Sequence, residues 1–252
     1  MLFQIVSDCH TEMNSKNFPV ITPKAPILIL AGDIGNPNTA KDRYIRFIDE
    51  TSKNFKLVLL CSGNHEYFLG EINKTNNLIK EICNTFDNVK FLNKTRLDLT
   101  ENLTILGCTL WSQILEHQKY SVKGTLADFY QISNVDGTSL SIQNYNDLHE
   151  SDLSWLTNEI SIINSKRKIL IITHHAPHME GTSAPQFKNS SISSAFATDL
   201  SYLISDPVIA WCAGHSHWSY NFDVNGVRLI SNQMGYPGER NTGYNPNFTF
   251  EV

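Results

Sequence analysis

The chain has 252 residues, 41% hydrophobic and 18% charged, an ordinary globular balance with material for a sizeable core. Its 25 acidic and 20 basic residues leave a net charge of −5, which lacks the basic footprint of a nucleic-acid binder. No apolar run approaches the roughly 18 residues of a membrane helix, and Asp8 interrupts any secretory leader. Runs at 2–6 and 27–31 read as strands buried on both faces, being short, β-rich and continuously apolar. A helix over 41–54 places Tyr44, Phe47, Ile48 and Thr51 on one face, and a third buried strand spans 57–61. A second helix, 71–83, aligns Ile72, Leu78, Ile79 and Ile82. Residues 89–93, 103–111 and 227–232 are expected strands of a second sheet. Between Ser112 and Glu150 the text is polar, aromatic-bearing and without period, and 179–195 is similar; such segments read as functional loops or lids. A helix over 152–164 carries Leu153, Leu156, Ile160 and Ile163, with Ser151 as its expected N-cap. Buried strands at 169–173 and 208–213 complete the series.

No repeat or linker interrupts this pattern, so one domain over 1–252 is expected. The five cysteines form no C-x-x-C pair, and Cys9, Cys61 and Cys212 sit on or beside strand runs, where a free thiol packs as a small hydrophobe. A reducing, cytoplasmic setting is expected.

The residues at the C-terminal end of each buried strand are more informative. The first strand ends in Asp8-x-His10, the second in Gly32-Asp33 and the third in Gly63-Asn64-His65-Glu66. The fourth ends in His174-His175 and the fifth in Gly214-His215-Ser216-His217. Each motif alone has an ordinary explanation as a turn, a cap or a core histidine. All of them at successive strand ends place six of the nine histidines at the edge where open α/β sheets bind ligands. Asp8, Asp33, Asn64 and the histidines at 10, 174, 215 and 217 offer oxygen and imidazole nitrogen without thiolate. That set suits Mn²⁺, Fe or Zn²⁺, with Mn²⁺ favoured. Seven ligands exceed what one catalytic ion with open positions takes. They fit two ions about 3.5–4 Å apart if Asp33 bridges them. Two divalent ions, two aspartates and a hydroxide sum to about +1, a centre that attracts an anionic ester such as a phosphate.

The ordered pattern D-x-H, G-D, G-N-H-E, H, G-H-x-H over residues 8–217 resembles the calcineurin-like metallophosphoesterase superfamily. The resemblance implies a four-layer αββα sandwich with two central mixed β-sheets and the metal site at the strand C-terminal ends. It implies a first metal on Asp8, His10, Asp33 and His217, and a second on Asp33, Asn64, His174 and His215. It implies His65 as the catalytic histidine, which protonates the leaving oxygen or stabilises the transition state. His65 is also the member of the set not needed as a ligand. The stretches "THHAPH…SAFATDLSYLI" and "SNQMGYPGE" look like a group of small cytosolic-type members. One departure matters: protein phosphatases of the superfamily extend G-D with V-D-R-G, whereas this chain reads "GDIGNPN".

The function expected is a metal-dependent phosphodiesterase on a small substrate, with a metal-bridging hydroxide attacking phosphorus in line. A phosphomonoesterase or protein phosphatase on the same site is the alternative, and a scaffold like the retromer subunit is the non-enzymatic one. The acidic balance argues against nucleic acid as partner, and no membrane is expected. Among secondary candidates, Glu66 either orients a ligand histidine or caps the next helix. His175 either reaches the site or packs behind the sheet. His117, His149 and His178 read as solvated loop residues, and Tyr236 as turn chemistry.

Overall fold

The computed structural model describes residues 1–13, 18–164 and 166–252. Its strands in the first half are β1 Leu2–Val6, β2 Ile27–Ala31, β3 Leu57–Cys61, β4 Gly70–Glu71, β5 Val89–Leu92, β6 Thr95–Asp98 and β7 Leu103–Gly107. The second half adds β8 Ile132–Ser133, β9 Lys168–Ile172, β10 Val208–Cys212, β11 Tyr220–Val224, β12 Val227–Ser231 and β13 Thr249–Glu251. The helices are α1 Lys41–Ser52, α2 Ile72–Cys83, α3 Lys119–Thr125, α4 Asp128–Gln131 and α5 Ile142–Ile162.

One mixed sheet has the order β13-β1-β2-β3-β5, parallel except for β13. The other runs β11-β12-β10-β9-β7-β6, parallel in its middle and antiparallel at both edges. Alternation of side chains along each strand builds the layers. Phe3, Ile5, Ile29 and Leu59 of the first sheet meet Ile105, Leu170, Ile172 and Cys212 of the second in the central core. The opposite face of the first sheet, Leu28, Leu30, Val58 and Leu60, packs on Tyr44, Phe47 and Ile79 from α1 and α2. The opposite face of the second sheet, with Ile169, Ile171 and Trp211, packs on Leu156 of α5. Every central strand is therefore covered on both faces, as its continuous apolar run requires. The expected αββα sandwich is what the chain adopts.

Several details differ from the sequence reading. β5 belongs to the first sheet, beside β3, while β9 and β10 belong to the second. Apolar runs reveal burial but not pairing partners. α5 starts ten residues before the expected 152, with a capping box at Ser141 and Asn144, so Ser151 lies inside the helix. The segment 112–150 is not simply a loop. It holds α3, α4, β8 and the first turns of α5, and its buried Val122, Phe129, Leu140 and Tyr145 form a satellite core with Tyr67 and Trp111. No helix is long and apolar enough to cross a membrane among the described residues.

Candidate metal centre

The loops leaving β1, β2, β3, β9 and β10 meet at one edge of the sandwich. Asp8 (φ 55°), His10 (φ 43°), Asp33 (φ 52°), His215 (φ 75°) and His217 (φ 49°) all sit in the left-handed region. That conformation costs on the order of 1–2 kcal/mol for a residue with a Cβ, and its concentration here turns the side chains inward. Glycine is required beside them. A Cβ at Gly63 would fall 2.2 Å from Asp33 Oδ1 and 2.6 Å from the His174 ring, and Gly32 (φ 88°) would place one 2.3 Å from His174 Nδ1.

Among the described residues, three groups have ligand atoms close enough to share a cation: Asp8, His10 and His217; His10, Asp33 and His65; and Asp33, His174 and His215. His217 Nε2 lies 3.5 Å from Asp8 Oδ1, and His10 Nε2 lies 3.9 Å from Asp33 Oδ2. On the other side of Asp33 Oδ2, His174 Nε2 is 3.4 Å away and itself 3.2 Å from Asn64 Oδ1. The structure thus brings together all seven residues expected as ligands, with Asp33 common to both halves. His65 Nε2 stands 4.0 Å from the same Asp33 oxygen, and its backbone N–H donates to Asp33 Oδ1 at 2.9 Å.

The outward nitrogen of each imidazole is already engaged. His10 Nδ1 faces Glu12 (3.4 Å), His217 Nδ1 faces Glu239 (2.6 Å), His174 Nδ1 faces the Ala31 carbonyl (2.9 Å) and His215 Nε2 faces the Ala195 carbonyl (3.2 Å). This arrangement sets the tautomer of a metal-binding histidine. The Nε2 atoms of His10 and His217 face each other at 3.0 Å, a hydrogen-bond spacing that needs one shared proton between two acceptors. A cation can take the place of that proton, so the donor set fits a metal.

Electrostatics agree. Burial disfavours the Asp33 carboxylate, yet His174, His65 and His10 hold its pKa well below the usual range; against the same penalty of burial, His217 lowers that of Asp8. Burial likewise opposes charge on His174 and His217, but Asp33 raises the first to about 9 and Asp8 the second to about 9. His215 is pushed down to about 3 by burial and by His174, which outweigh the opposing pull of Asp33 and Asp8. These buried carboxylates draw positive charge from whatever lies nearby.

The remaining candidates fall differently from expectation. Glu66 neither orients a histidine nor caps a helix. Fully buried, it accepts backbone N–H bonds from Asp33 (3.0 Å), Ile34 (2.7 Å), Gly35 (3.4 Å) and Gly63 (2.7 Å), tying the second loop to the third. Burial, helped by Asp33, pushes its carboxyl up to about 8, while the Gly63 and Ile34 N–H groups pull it down. Four donors surround it, so the ionised form is the one its contacts satisfy. His175 packs behind the site, stacked on Trp111 and bonded to the Tyr145 hydroxyl at 3.0 Å. His149 is buried against the Leu110 carbonyl rather than solvated, because it lies on the inner face of the longer α5. His178 is half-buried against Ser201, and His117 is exposed as expected.

Sequence reasoning missed four neighbours. Glu12 joins the Nδ1 atoms of His10 and His65 (3.2 Å), and these two bonds outweigh burial to hold it at about 2. Glu239 supports His217. Asp128 accepts from the Asn64 amide at 3.3 Å, which turns the amide oxygen toward His174; burial raises it to about 6, and its Oδ1 has no partner among the described residues. Tyr236 is more than a turn residue, since its hydroxyl lies 3.3 Å from His65 Nε2 and its ring packs on His10 and His217. Together, residues such as His65, Phe68, Asp128, His215, Tyr236 and Glu239 line a cleft of about 350 Å³ over Asp33.

A sandwich whose strand ends gather carboxylates and imidazoles around paired cation positions defines a metal-dependent hydrolase centre. Known proteins specify it further. The calcineurin-like phosphoesterase family model matches residues 1–219, so the chain belongs to that family and is a phosphoric ester hydrolase. The family implies two divalent metal ions and phosphoester substrates. The chain is 32% identical over 234 residues to the uncharacterized protein L509 of Acanthamoeba polyphaga mimivirus, covering 87% of this chain and 81% of that one. Its fold is similar to that of the phosphopantetheinyl hydrolase PptH from Mycobacterium tuberculosis, with TM-score 0.70, 16% identity and coverage of 93% and 89%. It is also similar to a dimetal phosphatase from Danio rerio, with TM-score 0.55, 15% identity and coverage of 93% and 87%.

Proposed function

We propose that this chain is a phosphodiesterase for small substrates, working in the cytoplasm as one domain over residues 1–252 with two divalent ions, Mn²⁺ favoured. The observation that carries this reading is the charge of the cleft. Asp33, Asp128 and Glu239 line it, and no lysine or arginine does among the described residues. A metal core of about +1, with Asp33 already counted in that sum and Asp128 and Glu239 adding negative charge beside it, suits a diester monoanion better than a monoester dianion. The sequence already lacks the arginine-bearing extension after Gly32-Asp33. Five buried, unpaired cysteines support a reducing compartment.

Asp8, His10, Asp33 and His217 would hold one ion, and Asp33, Asn64, His174 and His215 the other. When bound, such ions acidify water and neutralise phosphoryl oxygens. The chain's own residues do the rest. Glu12 fixes the His65 ring through Nδ1, and Nε2, beside the Tyr236 hydroxyl at 3.3 Å, is the nitrogen that would hand a proton to the leaving oxygen. Phe68 and Tyr236 flank that ring, with Phe68 centred 4.2 Å away, and limit its rotation.

The test is a panel of bis-p-nitrophenyl phosphate, p-nitrophenyl phosphate and a phosphopeptide, assayed on metal-stripped protein reloaded separately with Mn²⁺, Zn²⁺, Fe²⁺ and Mg²⁺. The diester should give the highest kcat/KM. A clear preference for the phosphopeptide would sink the proposal.

A further inference from the structure

Beside the cleft lies a second, more apolar pocket of about 200 Å³, walled by Met179, Phe187, Ile192, Phe196 and Ala197. Ile192, Phe196 and Ser216 line both cavities, so the two adjoin. The shared wall is anchored to the metal edge, because the Phe196 ring stacks on His215 at 4.8 Å and the neighbouring Ala195 carbonyl holds His215 Nε2. Phe187 stands 54% exposed at the mouth. The basic residue of the pocket, Lys188, is paired with Glu180 at 3.2 Å, so no uncompensated cation is offered to a second phosphate. His65, Phe68 and Tyr236 line the cleft but not this pocket.

We propose that this pocket binds the uncharged, apolar arm of a diester substrate, the arm that stays on phosphorus. The inference rests on the diester reading above. Water adds its oxygen to phosphorus as the bond to the other ester oxygen breaks. That oxygen departs as an alcohol with the proton from His65, and a proton of the attacking water restores the histidine. The arm then leaves the site on a phosphomonoester. The preferred substrate is therefore an asymmetric diester, with an alkyl or aryl group on one side and a leaving alcohol near His65 on the other.

Methyl and butyl p-nitrophenyl phosphate test this, because the leaving group is constant and only the retained arm changes. Each buried methylene contributes about fourfold, so butyl, with three more, should exceed methyl by about sixtyfold in kcat/KM when all three are buried and by about fifteenfold when two are. Filling the pocket with Ser183→Trp should bring that ratio close to one, and Met179→Ala, which thins the wall, should lower it several-fold. A wild-type ratio within about twofold of one, with the methyl ester still hydrolysed, overturns the pocket and leaves the diesterase reading intact. A ratio unchanged in both variants also overturns it. If neither diester is hydrolysed with any metal, the diesterase reading fails. Calorimetric titration of metal-loaded protein with methyl butylphosphonate and methyl methylphosphonate then decides the pocket: tighter binding of the butyl compound supports it, and equal binding overturns it.

Discussion

Replacing Glu66 by glutamine should loosen the site without touching a metal ligand. Glu66 Oε1 accepts from Ile34 (2.7 Å) and Gly35 (3.4 Å), and Oε2 accepts from Asp33 (3.0 Å) and Gly63 (2.7 Å). The amide of Glu66→Gln must point its NH₂ at one of these pairs. Facing Ile34 and Gly35 is the less costly choice, losing one short bond and one long one. A buried donor without an acceptor costs about 1–3 kcal/mol, so with the weaker second loss the total is about 2–4 kcal/mol. At about 2–4 °C per kcal/mol for a chain of this size, the melting temperature should fall by about 4–16 °C. Scanning calorimetry on metal-free protein reads this directly, and atomic absorption on reloaded protein should show reduced metal content, since Asp33 hangs on the same loop. A variant melting within about 2 °C of wild type would refute the claim that Glu66 clips the two loops together.

His65→Ala should keep both metals while lowering kcat by roughly 10²–10⁴, the range for a lost general acid; unchanged turnover on a poor leaving group would exclude that role. Asp33→Asn should instead lower metal content, measured by atomic absorption before any assay. Gly63→Ala should do the same through its Cβ, which has no room beside Asp33 and His174, and normal metal loading would contradict the packing described. Burial lowers the pKa of His149 below 6.5, with the Leu110 carbonyl acting against it. The unfolded chain then binds the extra proton first as pH falls, so stability present above about pH 6.5 is lost below it. Urea titrations from pH 7.5 to 5 should show this slope reduced in His149→Gln.

The buried strands were legible because their physics is local. Residues 27–31 and 57–61 carry continuous apolar text, broken in 2–6 only by Gln4, and strands covered on both faces need it. The convergence of the seven expected ligand residues was legible for a related reason: strand ends are readable, and a carboxylate, amide or imidazole at each one stands out. The features that escaped depend on contacts between distant segments. Glu66 sits in the most conspicuous motif, yet its bonds to 33–35 arise from loop folding that no spacing encodes. Asp128 lies on the short α4 within a segment without clear period, and it meets Asn64 across 64 residues. Glu239 and Tyr236 lie in "SNQMGYPGE", a stretch that carries part of the family resemblance, but only the turn brings their side chains over His217 and His65. Ser151 misled because a serine before an apolar period resembles a cap, while the true cap stood ten residues upstream at Ser141.

A centre of two ions shared through Asp33 is the claim on which everything else depends. An anomalous difference map from a Mn²⁺-loaded crystal, collected near the manganese edge, tests this most directly. Two peaks about 3.5–4 Å apart, both within about 2.6 Å of Asp33 carboxylate oxygens, are the predicted result. A single peak, or two peaks with Asp33 more than about 3 Å from either, would contradict it.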